Sequence, residues 1–86
     1  MSYAILIVKA VQKQINNLPS EVRTRVAEKI KQLESEPRPT GAIKLKGSER
    51  EYRIRIGDYR VRYEIDDASQ TLRLLQCKHR REIYKD

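Results

Sequence analysis

The chain has 86 residues, enough for one domain over residues 1–86 that buries only about 60% of its unfolded surface. Charged residues make up 36% and apolar residues 38%, and 19 Lys and Arg against 12 Asp and Glu leave a net charge of +7, which favours nucleic acid or an acidic protein partner. The single cysteine, Cys77, excludes an internal disulfide and suits a reducing cytoplasm, and the apolar run 4–8 is too short for a membrane span or a signal-peptide core.

Residues 2–8 (SYAILIV) read as a short first strand. From Val8 the period changes to three and four, so that Val8, Val11, Ile15 and Leu18 make one stripe of a helix. Asn16-Asn17-Leu18-Pro19-Ser20 breaks it, because the residue before a proline avoids helical geometry. Either Ser20 caps the next helix or Pro19 is its first residue. That helix places Val22, Val26, Ile30 and Leu33 on one stripe, sets Glu21 one turn before Arg25, and stops at Pro37 and Pro39. Two single-stripe helices joined by a tight break read as a helical hairpin on a sheet, with solvated outer faces.

Alternation in residues 42–47 puts Lys44 and Lys46 opposite Ile43 and Leu45. Then comes YRIRIGDYRVRYEI, residues 52–65, in which apolar and charged residues alternate on both sides of Gly57-Asp58. A Gly-Asp loop suits a type II′ hairpin turn, with Gly where φ must be positive. Ile56 then pairs with Tyr59, Arg55 with Arg60, Ile54 with Val61 and Arg53 with Arg62. One face carries the apolar side chains and the other carries four arginines in two opposed pairs, relieved only at the open end by Glu51 and Glu64. Asp66-Asp67-Ala68-Ser69-Gln70 is a loop. Residues 71–78 (TLRLLQCK) are a fourth strand, with apolar residues of both parities as in a strand covered on two sides.

Opposed like charges cost from a few tenths to about 1 kcal/mol per pair. Arginine matches phosphate oxygens two at a time. The hairpin face is therefore either a surface for a polyanion or a solvated face covered by acids from elsewhere in the fold. One His and one Cys cannot supply a zinc site, and Asp66-Asp67 reads as turn chemistry, so no metal and no cofactor are implied. His79 is the one side chain that titrates near neutrality unaided. Tyr84, beside a cationic cluster, is either an anchor for the terminus or a general base. A metal-free set of Arg, Lys and Tyr suits RNA cleavage, in which the substrate's own 2′-OH is the nucleophile and fixed cations stabilise the phosphorane.

The order strand, helical hairpin ending in PRP, then LKG, YRIRIGDYRVRYEI and HRREIY resembles the RelE/ParE toxin superfamily over essentially the whole chain. The resemblance implies an α+β fold, β-α-α-β-β-β, with the helical hairpin packed on a twisted antiparallel sheet. It implies a cytoplasmic toxin of a type II toxin–antitoxin module, of the RelE branch, that cleaves A-site mRNA on the ribosome and leaves a 2′,3′-cyclic phosphate. By position, Arg53 and Arg55 match basic residues that activate the nucleophile and stabilise charge, although some members carry lysine there. Arg60 matches a phosphate binder, Arg80 or Arg81 the general acid, and Tyr84 the C-terminal tyrosine of the site, with His79 the alternative base. Lys44, Lys46, Arg62, Lys78 and His79 are the further RNA-binding candidates. Implied partners are a RelB-like antitoxin, the ribosome and mRNA, with an oligomeric toxin–antitoxin complex that binds operator DNA through the antitoxin. A ParE-like inhibitor of DNA gyrase and a non-catalytic basic RNA-binding module are the alternatives.

Overall fold

The hairpin forms in the register that the alternation predicts: Ile56 opposite Tyr59, Arg55 opposite Arg60, Ile54 opposite Val61 and Arg53 opposite Arg62. In the computed structural model, which describes residues 2–83, its strands are β3 (Glu51–Ile56) and β4 (Tyr59–Asp66). Gly57 has φ 58° and Asp58 does not share the positive φ, as a type II′ turn requires.

Before the hairpin come β1 (Ala4–Ile7), α1 (Lys9–Asn16), α2 (Ser20–Ser35) and β2 (Ile43–Lys44). After it come β5 (Thr71–His79) and the short α3 (Arg80–Ile83). The sheet has the order β1-β5-β4-β3-β2, so the architecture is α+β as expected, with two refinements. Residues 43–44 add a fifth strand, paired to β3. The sheet is also mixed, because β1 lies parallel to β5 while every other pair is antiparallel. The α1–α2 excursion separates β1 in sequence from the four later strands, and β5 returns beside it in the same direction. No helix among the described residues is long and apolar enough to cross a membrane.

Both helices pack on one face of the sheet. Val11 and Ile15 of α1 and Val26 and Leu33 of α2 are buried against Ile54, Val61, Tyr63, Ile65, Leu72 and Leu74. Each such aliphatic side chain contributes about 1.5–3 kcal/mol when fully buried. Val8 departs from the predicted stripe: it precedes the first helical residue and is 40% exposed. Ser20 is the first residue of α2, Pro19 stands at the capping position, and no side chain caps the helix.

A register shift between Arg62 and Tyr63 breaks the parity of β5: Tyr63 faces Leu74 but Arg62 faces Gln76, leaving Leu75 as the extra residue. This bulge, rather than cover on two sides, accounts for apolar residues of both parities in that strand. It also sends Cys77 inward, where it is 3% exposed, and turns Gln76 and Lys78 towards the arginine face.

The loop after α2 is tied down by a clasp that sequence reasoning did not find. Arg38 grips Asp67 with two hydrogen bonds, at 2.8 and 3.2 Å, and donates a third to the Tyr52 hydroxyl at 3.0 Å. The Tyr3 hydroxyl donates to the same Asp67 at 2.6 Å, and the Tyr63 hydroxyl donates to the Pro37 carbonyl at 2.8 Å. Asp66 does the turn chemistry expected of that pair, accepting from the Ala68 and Ser69 amides.

Candidate nucleic-acid interface

The sheet face turned away from α1 and α2 carries Arg53 and Arg55 from β3 and Arg60 and Arg62 from β4. Gly41 and Ile43, at the start of β2, close over one side of it. Together with Arg53, Arg55 and Arg60 they line a groove of about 340 Å3. A second groove of about 180 Å3 adjoins it, lined by Leu45, Arg53, Arg60, Arg62 and Gln76. Arg53 and Arg60 line both, so the two grooves form one cationic track with Ile43 and Leu45 along its side.

The four arginines are not equivalent. Arg60 is buried, at 8% exposure, between its neighbours on β3 and β5. Arg62 is held by Glu51, with Nη1 3.4 Å from the carboxylate, and its buried Nε has no hydrogen-bond partner. Among the described residues no carboxylate lies within ion-pair distance of Arg53 or Arg55, because the acids that form ion pairs go to Arg38, Arg50 and Arg62. Among the described residues, then, an acid reaches Arg62 on this face but none reaches Arg53 or Arg55. A concentration of guanidinium groups left in this state attracts phosphate, and an apolar flank offers bases a surface to lie against.

The other predicted residues divide. Lys78 lies opposite Arg60 and extends the track across β5. Lys44 pairs with Tyr52, on the other parity of β2, and neither it nor Lys46 lines a groove. His79 lies opposite Tyr59, whose ring it meets edge-on at 5.1 Å, in a hollow with Gln14, Asn17, Leu18 and Cys77 on the helix side of the sheet. The imidazole is thus not on the arginine face. Arg80 and Arg81 are exposed in α3, and the Arg80 amide donates to the Asp58 carbonyl at 2.8 Å, which docks α3 on the turn between Arg55 and Arg60. Tyr84 lies outside the described residues. Sequence reasoning missed the wall made by Ile43 and Leu45, although their alternation with Lys44 and Lys46 carried the signal.

The chain as a whole is similar to known proteins. The family described as "ParE toxin of type II toxin-antitoxin system, parDE" matches residues 5–84. A Methanocaldococcus jannaschii protein described as "Putative toxin RelE1" is 30% identical over 89 residues, covering 100% of this chain and 99% of that protein. The toxin fold in the crystal structure of an archaeal RelE–RelB complex from Pyrococcus horikoshii superposes with a TM-score of 0.84 at 36% identity, covering 93% of this chain and 97% of that one. The RelBE2 toxin–antitoxin complex of Mycobacterium tuberculosis gives 0.78 at 26% identity, covering 92% and 99%.

Proposed function

The chain belongs to the ParE toxin family of type II toxin–antitoxin systems, within the RelE/ParE superfamily, and from that membership we propose that it is a ribosome-dependent mRNA endonuclease. The observation that carries the reading is the groove in which Arg53, Arg55 and Arg60 converge with Arg60 buried. Substrate RNA lies along the track with a phosphate among these guanidiniums. The 2′-oxygen attacks phosphorus, the 5′-oxygen leaves, and the products are a 2′,3′-cyclic phosphate and a 5′-hydroxyl. Tyr84 takes the 2′-OH proton, and Arg80 or Arg81 protonates or hydrogen-bonds the departing oxygen. The arginines stabilise the charge that develops on the phosphorane, and no metal is required. The ribosome holds the message, since the track is too short to bind RNA firmly by itself.

The partner is an antitoxin of the RelB kind, as in the archaeal and mycobacterial complexes to which the chain is similar. It brings acidic residues to the arginine face or displaces the C-terminal segment, and the complex assembles into oligomers that bind operator DNA through the antitoxin. Its binding also stabilises a small domain by mass action.

A second reading, inhibition of DNA gyrase, is favoured by one observation: the matched family is described by its ParE member. Primer extension on mRNA in translating ribosomes, run beside a gyrase supercoiling assay, separates the two. Cuts within codons with supercoiling untouched support the nuclease. Inhibited gyrase with intact mRNA supports the alternative.

A further inference from the structure

The backbone N–H of Arg81 donates to Nδ1 of His79 at 3.2 Å. His79 ends β5 and α3 begins at Arg80, so the imidazole stands at the N-cap and serves the second helical amide, as an Asn or Ser oxygen does elsewhere. The ring is held from the side by Tyr59, with the two planes at 88°. Among the described residues, two amides of the segment that carries Arg80 and Arg81 tie it back: Arg80 to the Asp58 carbonyl, and Arg81 to a ring that can gain a proton.

We propose that neutral His79 is a positioning residue that caps α3 and holds Arg80 and Arg81 at the hairpin turn, and that protonation of its ring releases them. The proposal deepens the nuclease reading and rests on it for its effect on cleavage. Imidazolium has two N–H donors and no acceptor, so the cap is lost on protonation. The added charge also sits at a helix N-terminus, where the backbone is already partially positive. The hollow around the ring offers Gln14, Asn17, Leu18, Tyr59 and Cys77, with no carboxylate among them. Its charged neighbours along the chain are Lys78, Arg80, Arg81 and Glu82, and the turn contributes Asp58.

The test follows the 15N resonance of the Arg81 amide against pH in the full chain, beside the His79 ring protons. Both should move with one midpoint, and the protection of the Arg81 amide, taken relative to the intrinsic exchange rate at each pH, should fall about tenfold on the acid side, the size of a typical lost cap. On programmed ribosomes, His79→Phe should slow cleavage about tenfold. His79→Asn keeps an acceptor that does not titrate, and should restore most of the rate while removing the acid limb that follows the His79 midpoint. An Arg81 amide indifferent to the His79 titration overturns the proposal whatever the chain does to RNA, as does an Asn variant no faster than Phe. Coupled titration in a chain that cuts no RNA supports the cap and sinks the nuclease reading alone.

Discussion

Arg55 and Arg60 face each other across the β3–β4 ladder, yet Arg60 is 8% exposed and Arg55 is open to solvent. The difference follows from strand position. β4 is flanked on both sides by long strands, whereas β3 has only the two-residue β2 beyond it. The pair is an inner and an outer guanidinium of one groove, held together against their mutual repulsion.

Arg60→Met tests what the inner charge is for. The substitution keeps most of the buried side-chain volume and removes the like charge that faces Arg55. Single-turnover cleavage should fall about 10–100-fold, the worth of one charge-assisted hydrogen bond. Arg55→Ala should lose cleavage on the same scale with stability changed by no more than about 0.5 kcal/mol. A steep fall in melting temperature for Arg60→Met would make Arg60 a structural group.

Gly57→Ala isolates the turn. A Cβ there meets Arg25 Nη1 at 3.7 Å, an ordinary contact, so space is not the obstacle. The obstacle is φ 58°, which costs an L-residue about 1–2 kcal/mol. Urea unfolding should report a loss of that size, with Asn at the same position costing less.

Two titrations frame the stability of the fold. Burial, with Tyr52 close by, pushes the Tyr63 phenol from 10.0 up to about 12. The native state therefore favours the protonated form; that contribution is whole below pH 10 and is lost as the pH rises towards about 12. The Arg38 guanidinium, and then the Tyr3 hydroxyl, hold the Asp67 carboxyl below its ordinary range. Its contribution is present above the unfolded value and is lost as the pH falls through the lowered native one. Denaturant midpoints measured across pH should decline at both ends, and Tyr63→Phe should reduce the alkaline decline, leaving the part due to the Tyr3 phenol that Asp67 also holds high, while Asp67→Asn flattens the acid one.

Tyr84→Phe addresses the proton. The ring remains and only the hydroxyl goes, so ribosome binding should persist while single-turnover cleavage slows about 10²–10⁴-fold. The parental rate should rise with pH until the tyrosine has titrated, and the variant should lack that rise. Cleavage at the parental rate would return Tyr84 to an anchoring role.

The hairpin was legible because its period of two, its Gly-Asp turn and its inward face all dictate the same register. The helical stripes were legible for the same reason, except at Val8, where the change of period falls on the cap rather than in the helix. Three features were not legible. The bulge at Leu75 depends on the fit between two strands, and an apolar run looks the same with or without it. The parallel pairing of β1 with β5 depends on a crossover that no local pattern encodes. The Arg38–Asp67 clasp joins residues 29 apart, which become neighbours only when the sheet exists. In the site, the arginine cluster was written in the alternation of one hairpin, whereas the positions of Lys44 and His79 depended on the short β2 and on the bulge.

If these arginines serve an attack by the substrate's own 2′-hydroxyl, removing that one oxygen stops the reaction. The direct test is single-turnover cleavage, on programmed ribosomes, of an mRNA bearing one 2′-deoxynucleotide immediately 5′ of the cut. The cut at that position should disappear, matched all-ribose messages should be cut to ends bearing a 2′,3′-cyclic phosphate, and EDTA too mild to disturb the ribosome should change neither result. Cleavage of the deoxy-substituted message at the parental rate would contradict attack by that hydroxyl.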